Sequence, residues 1–348
     1  MPKWKIFFTA RHTKQMEERK TMEQRINGKL TDYNEAFILQ RADPYVLKAP
    51  DGSYYFTASV PAYDKIILRH AHTLEGLKDA EEVTVWTKHA SGPMSKHIWA
   101  PEIHYVFGKW CIYFAGGEEE DVWKIRPYVL ECTGDDPMKD AWVEKGKMKR
   151  ADEDEFSFEA FSLDATIFEN KGEYFYVWAE KVGVGKQISN LYIARMEDAD
   201  KLATVQVLLT TPDYDWERVD FWVNEGPAVV KRNGHIYLTY SASGTGACYC
   251  MGMMSTTEDA DMLDPKSWVK ERYPVLCTDE EKGIYGPGHN SFTKDEEGND
   301  ICVFHARTYE EIVGDPLYDP NRHAMLMKVD WDENDRPVFA FTKNTDWK

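Results

Sequence analysis

The sequence predicts an all-β fold made of five copies of one strand-turn-strand unit. Five stretches each carry an ionisable residue, then a glycine turn, then a strand rich in apolar and aromatic residues. The ionisable residues recur at steps of 59, 62, 61 and 64 residues, at Asp43, Glu102, Asp164, Glu225 and His289. A period of about sixty residues is too long for helical solenoids and sufficient for four short strands. These observations predict a five-bladed β-propeller with four-stranded antiparallel blades around a central funnel.

Strand signals begin after the first 36 residues and continue to the end of the chain. Runs such as residues 174–178 and 235–240 combine aromatic and aliphatic side chains, which favour strands. Glycine turns such as Asp51-Gly52 and Asn233-Gly234 separate these runs, as is typical of hairpins. We therefore expect residues 37–348 to form a single propeller domain.

Residues 1–36 are expected to form an N-terminal tail outside the repeat. Within the tail, residues 13–26 are charged and have helical propensity but only a thin apolar face. Two roles are open: the tail closes the ring by adding a strand to the last blade, or it packs on a partner subunit. The second role would make the protein a homo-oligomer.

The composition favours a neutral partner. The chain has 60 acidic and 42 basic residues, for a formal net charge of -18. Phosphate groups are bound by clusters of Lys and Arg, so this charge argues against nucleic acid or an anionic membrane surface. No stretch approaches the roughly 18 apolar residues of a membrane-spanning helix.

The amino terminus and the cysteines predict a cytoplasmic protein. Only a few apolar residues precede Arg11 and His12, too few for the hydrophobic region of a secretion signal. The six cysteines show neither zinc-site nor CxxC spacing, so we expect thiols in a reducing compartment.

The repeat brings four carboxylates and one imidazole to one funnel. Hydrolysis of a glycosidic bond needs a carboxylic acid that protonates the leaving oxygen and a carboxylate that activates water or attacks the sugar. A third carboxylate would raise the pKa of the acid by like-charge repulsion. Each carboxylate alone would be equally consistent with capping a turn, but four at one level would repel one another, which favours a functional role.

His289 lies where the fifth blade contributes to the funnel. Its imidazole is suited to binding a cation that partly neutralises the carboxylates, and equally to a purely structural hydrogen bond. Both interpretations stay open from the residues alone.

At these residues the chain resembles glycoside hydrolase family 43, whose members are five-bladed propellers acting on arabinose- and xylose-containing plant polysaccharides. The resemblance covers all five predicted blades. It implies that Asp43, in Arg-Ala-Asp-Pro-Tyr, is the general base. It also implies that Asp164, in Ser-Leu-Asp-Ala, modulates the pKa and orientation of the acid, and that Glu225, in Asn-Glu-Gly-Pro, is the general acid.

The resemblance also implies binding residues around the substrate. Trp99 and Glu102, in Trp-Ala-Pro-Glu, are similar to a second-blade motif that borders the substrate pocket, and Arg307, in Phe-His-Ala-Arg, to an arginine that reaches the sugar. His289, in Gly-Pro-Gly-His-Asn-Ser, resembles an axial histidine often linked to calcium through water. No cofactor is required, and Ca²⁺ or another cation in the central channel is the one candidate.

The activity implied by the resemblance is inverting, exo-acting removal of terminal α-L-arabinofuranosyl residues from arabino-oligosaccharides, a neutral pentose-containing substrate. A β-xylosidase or a bifunctional xylosidase/arabinofuranosidase is the alternative, although family xylosidases commonly carry an additional C-terminal β-sandwich. An endo-arabinanase is less favoured because such enzymes are commonly secreted. A non-enzymatic carbohydrate-binding propeller is least favoured, because it needs no acidic residues at three catalytic positions.

Overall fold

The computed structural model describes residues 36–182 and 186–340, and it confirms the predicted all-β, five-bladed propeller. The strands of each blade are antiparallel and follow chain order from the axis outward, as expected for strands joined by short turns. The innermost strands of neighbouring blades contact one another around the ring.

Blades 1 and 2 are regular four-stranded sheets. The strands of blade 1 are β1 (Ala42–Lys48), β2 (Tyr54–Ser59), β3 (Lys65–Ala71) and β4 (Val83–Thr87). The strands of blade 2 are β5 (Lys96–Val106), β6 (Lys109–Gly117), β7 (Arg126–Cys132) and β8 (Trp142–Lys147).

Blades 3 and 4 follow the same plan, with one additional strand in blade 3 that pairs with β11. The strands of blade 3 are β9 (Ser162–Asn170), β10 (Glu173–Val182), β11 (Ile188–Asp198), β12 (Lys201–Leu202) and β13 (Val207–Thr210). The strands of blade 4 are β14 (Asn224–Arg232), β15 (His235–Ala242), β16 (Cys250–Thr257) and β17 (Val269–Lys270).

Blade 5 departs from the predicted four strands, because its main sheet has three. These are β18 (Tyr285–Lys294), β19 (Asp300–Arg307) and β20 (His323–Lys328), and a two-stranded hairpin of β21 (Asp330–Trp331) and β22 (Pro337–Val338) follows. The described helices are single 3₁₀ turns, at Glu75–Lys78, Asp215–Glu217, Pro265–Ser267, Glu280–Lys282 and Pro316–Tyr318. None of the helices in the described part of the chain is long and apolar enough to span a membrane.

The outer edge of blade 5 pairs with the start of the described chain. The backbone N–H of Phe37 and that of Ile38 donate to the carbonyl of Ala324 at 2.8 and 3.2 Å, and the Ala324 N–H donates back to Ile38 at 3.0 Å. This bridge joins the two ends of the ring and occupies the fourth position of the last blade. Residues 1–35 of the predicted tail lie outside the described residues, so its role in closure or subunit contact stays a prediction.

Every innermost strand carries a β-bulge at the same place. In blade 1, Ala42 and Tyr45 are three residues apart but pair with Ser59 and Thr57, which are two apart. The same three-against-two offset occurs at 99–102, 163–166, 225–228 and 288–291. A bulge bends the strand and redirects side chains, so the repeat aims one residue of each blade at the axis in the same way.

The first bulged residue has a positive φ in all five blades. The values are 53° at Asp43, 46° at Ala100, 53° at Asp164, 52° at Gly226 and 44° at His289. Non-glycine residues rarely adopt this left-handed conformation, and Asp and His adopt it more readily than most. The conformation is therefore sustained by the surrounding sheet, as is typical of functional sites.

The apolar core lies between neighbouring blades. Separate clusters of buried side chains fill the contacts of blade 1 with blade 2, 2 with 3, 3 with 4, 4 with 5 and 5 with 1. Aromatic residues such as Trp178 and Tyr240 are completely buried there, which explains the aromatic richness of the sequence. Burial of both faces of each sheet makes the ring a rigid support for the funnel.

Packing between β15 and β16 depends on a glycine opposite an aromatic ring. Gly252 pairs with Tyr240, and a Cβ at position 252 would lie 2.4 Å from Cζ of Tyr240. We expect Gly252→Ala to lower the free energy of unfolding by about 1–3 kcal/mol, because the buried ring cannot move without displacing its neighbours. Urea unfolding measures this change. Gly246→Ala is the control, since a Cβ there meets nothing within 4 Å; equal stability of the two variants would contradict the packing argument.

Candidate active site

Asp43 lies at the centre of a buried cluster of charged groups. The bulge in β1 turns its carboxylate toward the axis, where Oδ1 is 3.3 Å from Nδ1 of His289 and 3.4 Å from Nη1 of Arg322. Burial alone would raise the pKa of Asp43, but the charges of His289 and Arg322 outweigh burial and hold that pKa well below its ordinary value. Asp43 is therefore ionised at neutral pH.

His305 supports Asp43 as a neutral imidazole. Its Nδ1 accepts the backbone N–H of Asp43 at 3.1 Å, so the ring proton is on Nε2. Burial lowers the pKa of His305 to about 3, which is consistent with this role as an acceptor. The ring of Tyr249 stacks on His305 with centroids 5.5 Å apart.

Asp164 and Glu225 face the same centre from blades 3 and 4. Oδ2 of Asp164 is 3.7 Å from Nδ1 of His289, and the backbone N–H of Gly226 donates to the Asp164 carboxylate. Oε1 of Glu225 accepts a hydrogen bond from Oη of Tyr249 at 2.8 Å. The structure thus brings all three predicted catalytic carboxylates together.

The pKa values of Asp164 and Glu225 shift upward, opposite to that of Asp43. Burial is the main cause for Asp164, and the charges of Glu225 and Asp43 add to it. Burial also raises the pKa of Glu225, and the charge of Asp43 adds to it, although the Tyr249 hydrogen bond and His289 act in the opposite direction. Both shifts favour the protonated form of the carboxyl group, in contrast to the shift of Asp43.

His289 is the cation at the centre of the carboxylates. Burial lowers its pKa, but the charges of Asp43, Asp164 and Glu225 outweigh burial and raise that pKa above the ordinary value. The close approach of blade 4 depends on Gly226, because a Cβ at that position would lie 3.1 Å from Cγ of His289. The backbone N–H of His289 donates to Oγ of Ser241.

Glu102 is offset from the bulge position of blade 2. In the bulge register it follows Ala100 by two residues, whereas Asp43, Asp164 and His289 occupy the bulge position itself. Its Oε2 is 2.8 Å from Nε2 of His104, and both side chains are buried. Glu225 precedes the bulge position of its strand by one residue. The nearly even spacing of the five ionisable residues in the sequence therefore did not reveal that Glu225 and Glu102 are offset from the bulge position by one and two residues.

Trp99 lies in an aromatic group beside the site. Its ring stacks on His97 at 4.4 Å between centroids and meets the edge of Tyr63 at 5.7 Å. Nη2 of Arg322 donates to Oη of Tyr63 at 2.7 Å. This contact connects the aromatic group that contains Trp99 to the carboxylate cluster.

Arg307 does not contact the carboxylate cluster. Its Nε pairs with Asp319 at 3.0 Å, and its two terminal nitrogens donate to the carbonyls of Thr245 and Pro316 at 2.8 and 2.7 Å. These hydrogen bonds hold the loop before β20 and engage three of the five N–H donors of the guanidinium group. Arg322 is instead the arginine that faces Asp43.

Comparison with known proteins identifies the fold family. A model of glycosyl hydrolases family 43 matches residues 35–337. The chain belongs to glycosyl hydrolases family 43. The site described above lies within the matched region.

Relatives and solved structures agree with this membership. The chain is 48% identical over 302 residues to an extracellular exo-α-(1→5)-L-arabinofuranosidase of Streptomyces avermitilis, covering 86% of this chain and 62% of that protein. A similarly named extracellular enzyme of Streptomyces chartreusis is 46% identical over 285 residues, covering 82% of this chain and 85% of that one. The crystal structure of an α-L-arabinofuranosidase from Lactobacillus brevis is 48% identical, with a TM-score of 0.83, covering 91% of this chain and 99% of that one.

The prediction of a cytoplasmic protein was wrong. Both Streptomyces relatives are named extracellular enzymes, which contradicts it. The prediction rested on the lack of a sequence signal near residue 1 and on unpaired cysteines. Most of these cysteines are buried, so they behave as small apolar side chains and carry little information about the redox compartment.

The predicted cation at His289 is not supported by a direct ligand set. Among residues 36–182 and 186–340, no group of three or more His, Cys, Asp and Glu side chains is arranged to hold a metal ion. Nδ1 of His289 faces two carboxylates, whose charges raise the pKa of His289 and favour its cationic form. A cation bound through water stays a prediction.

Sequence reasoning missed Arg322, Tyr249, Tyr63 and His305. Arg322 and Tyr63 lie in loops after the second strand of a blade. The sequence repeat was defined by residues at the start of each innermost strand, so it does not indicate these two positions. Tyr249 was visible only as the centre of Cys-Tyr-Cys, and His305 as part of the motif from which Arg307 was selected. A search for aromatic and basic residues in the loops that follow second strands would have found Arg322, Tyr63 and Tyr249, but not His305, which lies within β19.

Proposed function

We propose that the chain is an inverting, exo-acting α-L-arabinofuranosidase that releases terminal α-L-arabinofuranosyl residues from arabino-oligosaccharides. One observation carries the chemistry: carboxylates in a single buried cluster have pKa values shifted in opposite directions, down for Asp43 and up for Glu225. Such a division between neighbouring carboxyl groups is typical of an acid and a base. The names of the Streptomyces relatives support the choice of sugar and an extracellular place of action.

Asp43 acts as the general base in this proposal. Its carboxylate stays ionised because Arg322 and His289 stabilise the negative charge, so it can take a proton from a water that attacks the anomeric carbon. Inversion requires that this water fit between the carboxylate and the sugar. The same positive charges that keep Asp43 ionised also lower its affinity for a proton, and therefore its strength as a base.

Glu225 acts as the general acid. Its raised pKa keeps a proton available for the glycosidic oxygen, and the hydrogen bond from Tyr249 fixes the carboxyl group. Asp164 modulates this acid by like-charge repulsion, and the Gly226 N–H holds the Asp164 carboxylate in place. The proposed chemistry uses side chains of this chain alone, and His289 limits the repulsion among the three carboxylates.

The substrate is proposed to be a neutral pentose-containing oligosaccharide. The aromatic group around Trp99 and Tyr63 offers apolar faces at the border of the site, and aromatic faces are suited to the apolar faces of sugar rings. Within the described residues, Arg322 is the cation that reaches both Asp43 and this group.

The decisive experiment compares substrates and follows the product anomer. We expect release of 4-nitrophenol from 4-nitrophenyl α-L-arabinofuranoside to exceed release from the β-D-xyloside, with Asp43→Asn lowering kcat by about 10²- to 10⁴-fold. NMR of the first turnovers should show an inverted product. A preference for the xyloside would favour the β-xylosidase alternative. Internal cleavage of arabinan would favour an endo-arabinanase, and initial retention of the anomeric configuration would overturn the proposed mechanism.

The role of Glu225 is tested through the leaving group. Glu225→Gln should be most damaging for arabino-oligosaccharides, whose departing oxygen needs a proton, and milder for aryl arabinofuranosides with acidic phenols. Plotting kcat/KM against the pKa of the leaving group measures this dependence. Glu173→Gln, at an exposed site paired with Arg195, is the control; equal losses on all leaving groups would remove the acid role from Glu225.

The role of Asp164 is tested through the pH profile. Asp164→Asn removes a neighbouring negative charge, so the pKa of Glu225 should fall. Because the acid must be protonated, activity is lost as pH rises through that pKa, and the alkaline limb of kcat/KM should move to lower pH by about one unit. A reduced rate with an unmoved limb would show that Asp164 only orients the acid.

A further inference from the structure

Lys181 lies beside the acid, at the end of blade 3 that faces blade 4. It pairs with Ser189 across β10 and β11, and Ser189 forms a parallel bridge with Val223, two residues before Glu225. This row of backbone pairs places Lys181 and Glu225 at the same end of the ring. Lys181 is therefore positioned at the mouth of the funnel on the side of the acid.

The aromatic ring of Phe161 holds the Lys181 side chain. Nζ lies 4.0 Å from the centroid of the Phe161 ring, a distance typical of a cation–π contact. The backbone N–H of Lys181 also donates to the Phe161 carbonyl at 2.9 Å. Phe161 directly precedes β9, the strand that carries Asp164, so the lysine is fixed relative to the catalytic cluster.

The Lys181 ammonium has unused hydrogen-bond donors. Across the part of the chain that the structure describes, Nζ makes no hydrogen bond and no carboxylate pairs with it, although acidic residues outnumber basic ones by 60 to 42. An ammonium has three donors. Burial lowers the pKa of Lys181, while the charge of Glu225 favours its cationic form. A half-buried cation that no carboxylate neutralises is suited to a ligand.

We propose that Lys181 is a specificity-determining residue that donates hydrogen bonds to hydroxyl groups of the leaving-group sugar. The proposal rests on the proposed function, in which Glu225 protonates the glycosidic oxygen. A group that flanks the acid at the mouth of the funnel then faces the part of the substrate that departs. A neutral sugar hydroxyl accepts from the ammonium without the ion pairing that a charged ligand would introduce.

The test compares a substrate that has a leaving sugar with one that lacks it. For Lys181→Met we expect the ratio of kcat/KM on α-1,5-arabinobiose to kcat/KM on 4-nitrophenyl α-L-arabinofuranoside to fall by about 10- to 100-fold, the loss of a charge-assisted hydrogen bond. Lys181→Arg should keep most of the ratio, and Lys181→Gln serves if the Met variant fails to fold. The control is Lys171→Met, since Lys171 pairs with Asp259 at the opposite end of the β9–β10 hairpin.

The pH profile separates binding from an electrostatic effect on the acid. Asp43, Asp164, Tyr249 and His289 surround Glu225 together with Lys181, and loss of the lysine charge should raise the pKa of Glu225 and move the alkaline limb to higher pH. A moved limb with an unchanged substrate ratio would overturn the proposal, as would equal losses on both substrates. A wild-type protein inactive on both substrates would instead refute the proposed function.

Discussion

The site depends on the positive charges of His289 and Arg322 beside three carboxylates, of which Asp43 and Asp164 are buried and Glu225 is half-buried. Burial disfavours each charge, and the carboxylates repel one another, so the cluster would bind protons throughout if it were left alone. Both cations contact Oδ1 of Asp43, whereas Asp164 faces His289 only. This unequal distribution of positive charge lowers the pKa of Asp43 and leaves the pKa values of Asp164 and Glu225 raised, which is the difference that acid–base hydrolysis requires.

The bulge in the innermost strands determines which side chains reach this cluster. A regular strand would alternate side chains between two faces, but the left-handed residue in each blade turns the chain inward at Asp43, Asp164 and His289. In blade 4 the left-handed residue is Gly226, so the preceding residue supplies the acid and the glycine leaves room for His289. The same β-bulge with a left-handed residue, present in all five blades, therefore directs a different side chain toward the axis in each blade.

The sequence was sufficient for the fold and for the three carboxylates, because a repeat of about sixty residues and alternating strand patterns report directly on blade geometry. The sequence was insufficient where contacts between residues far apart in the chain determine which side chain reaches the site. Arg307 and Arg322 are both close to the fifth blade in sequence, but only the loop conformation directs Arg322 to Asp43 and Arg307 to Asp319. Glu102 matched the period, yet the bulge register puts it two residues past the left-handed residue of its strand, Ala100. The location of the protein was inferred from missing signals, and the relatives contradicted it.

The backbone next to the acid is fixed by the completely buried carboxylate of Glu217. Oε1 of Glu217 accepts from Nδ2 of Asn224 and from Oη of Tyr240, each at 2.9 Å, and from Nζ of Lys270 at 2.8 Å. Removing two charges from water is unfavourable unless every polar atom is satisfied, so such a network contributes a unique arrangement more than stability. Since Asn224 directly precedes Glu225, that arrangement limits the backbone motion of the acid. The ion pair of Glu217 and Lys270 therefore has the same effect as the packed core between blades, which is to fix the acid relative to the base.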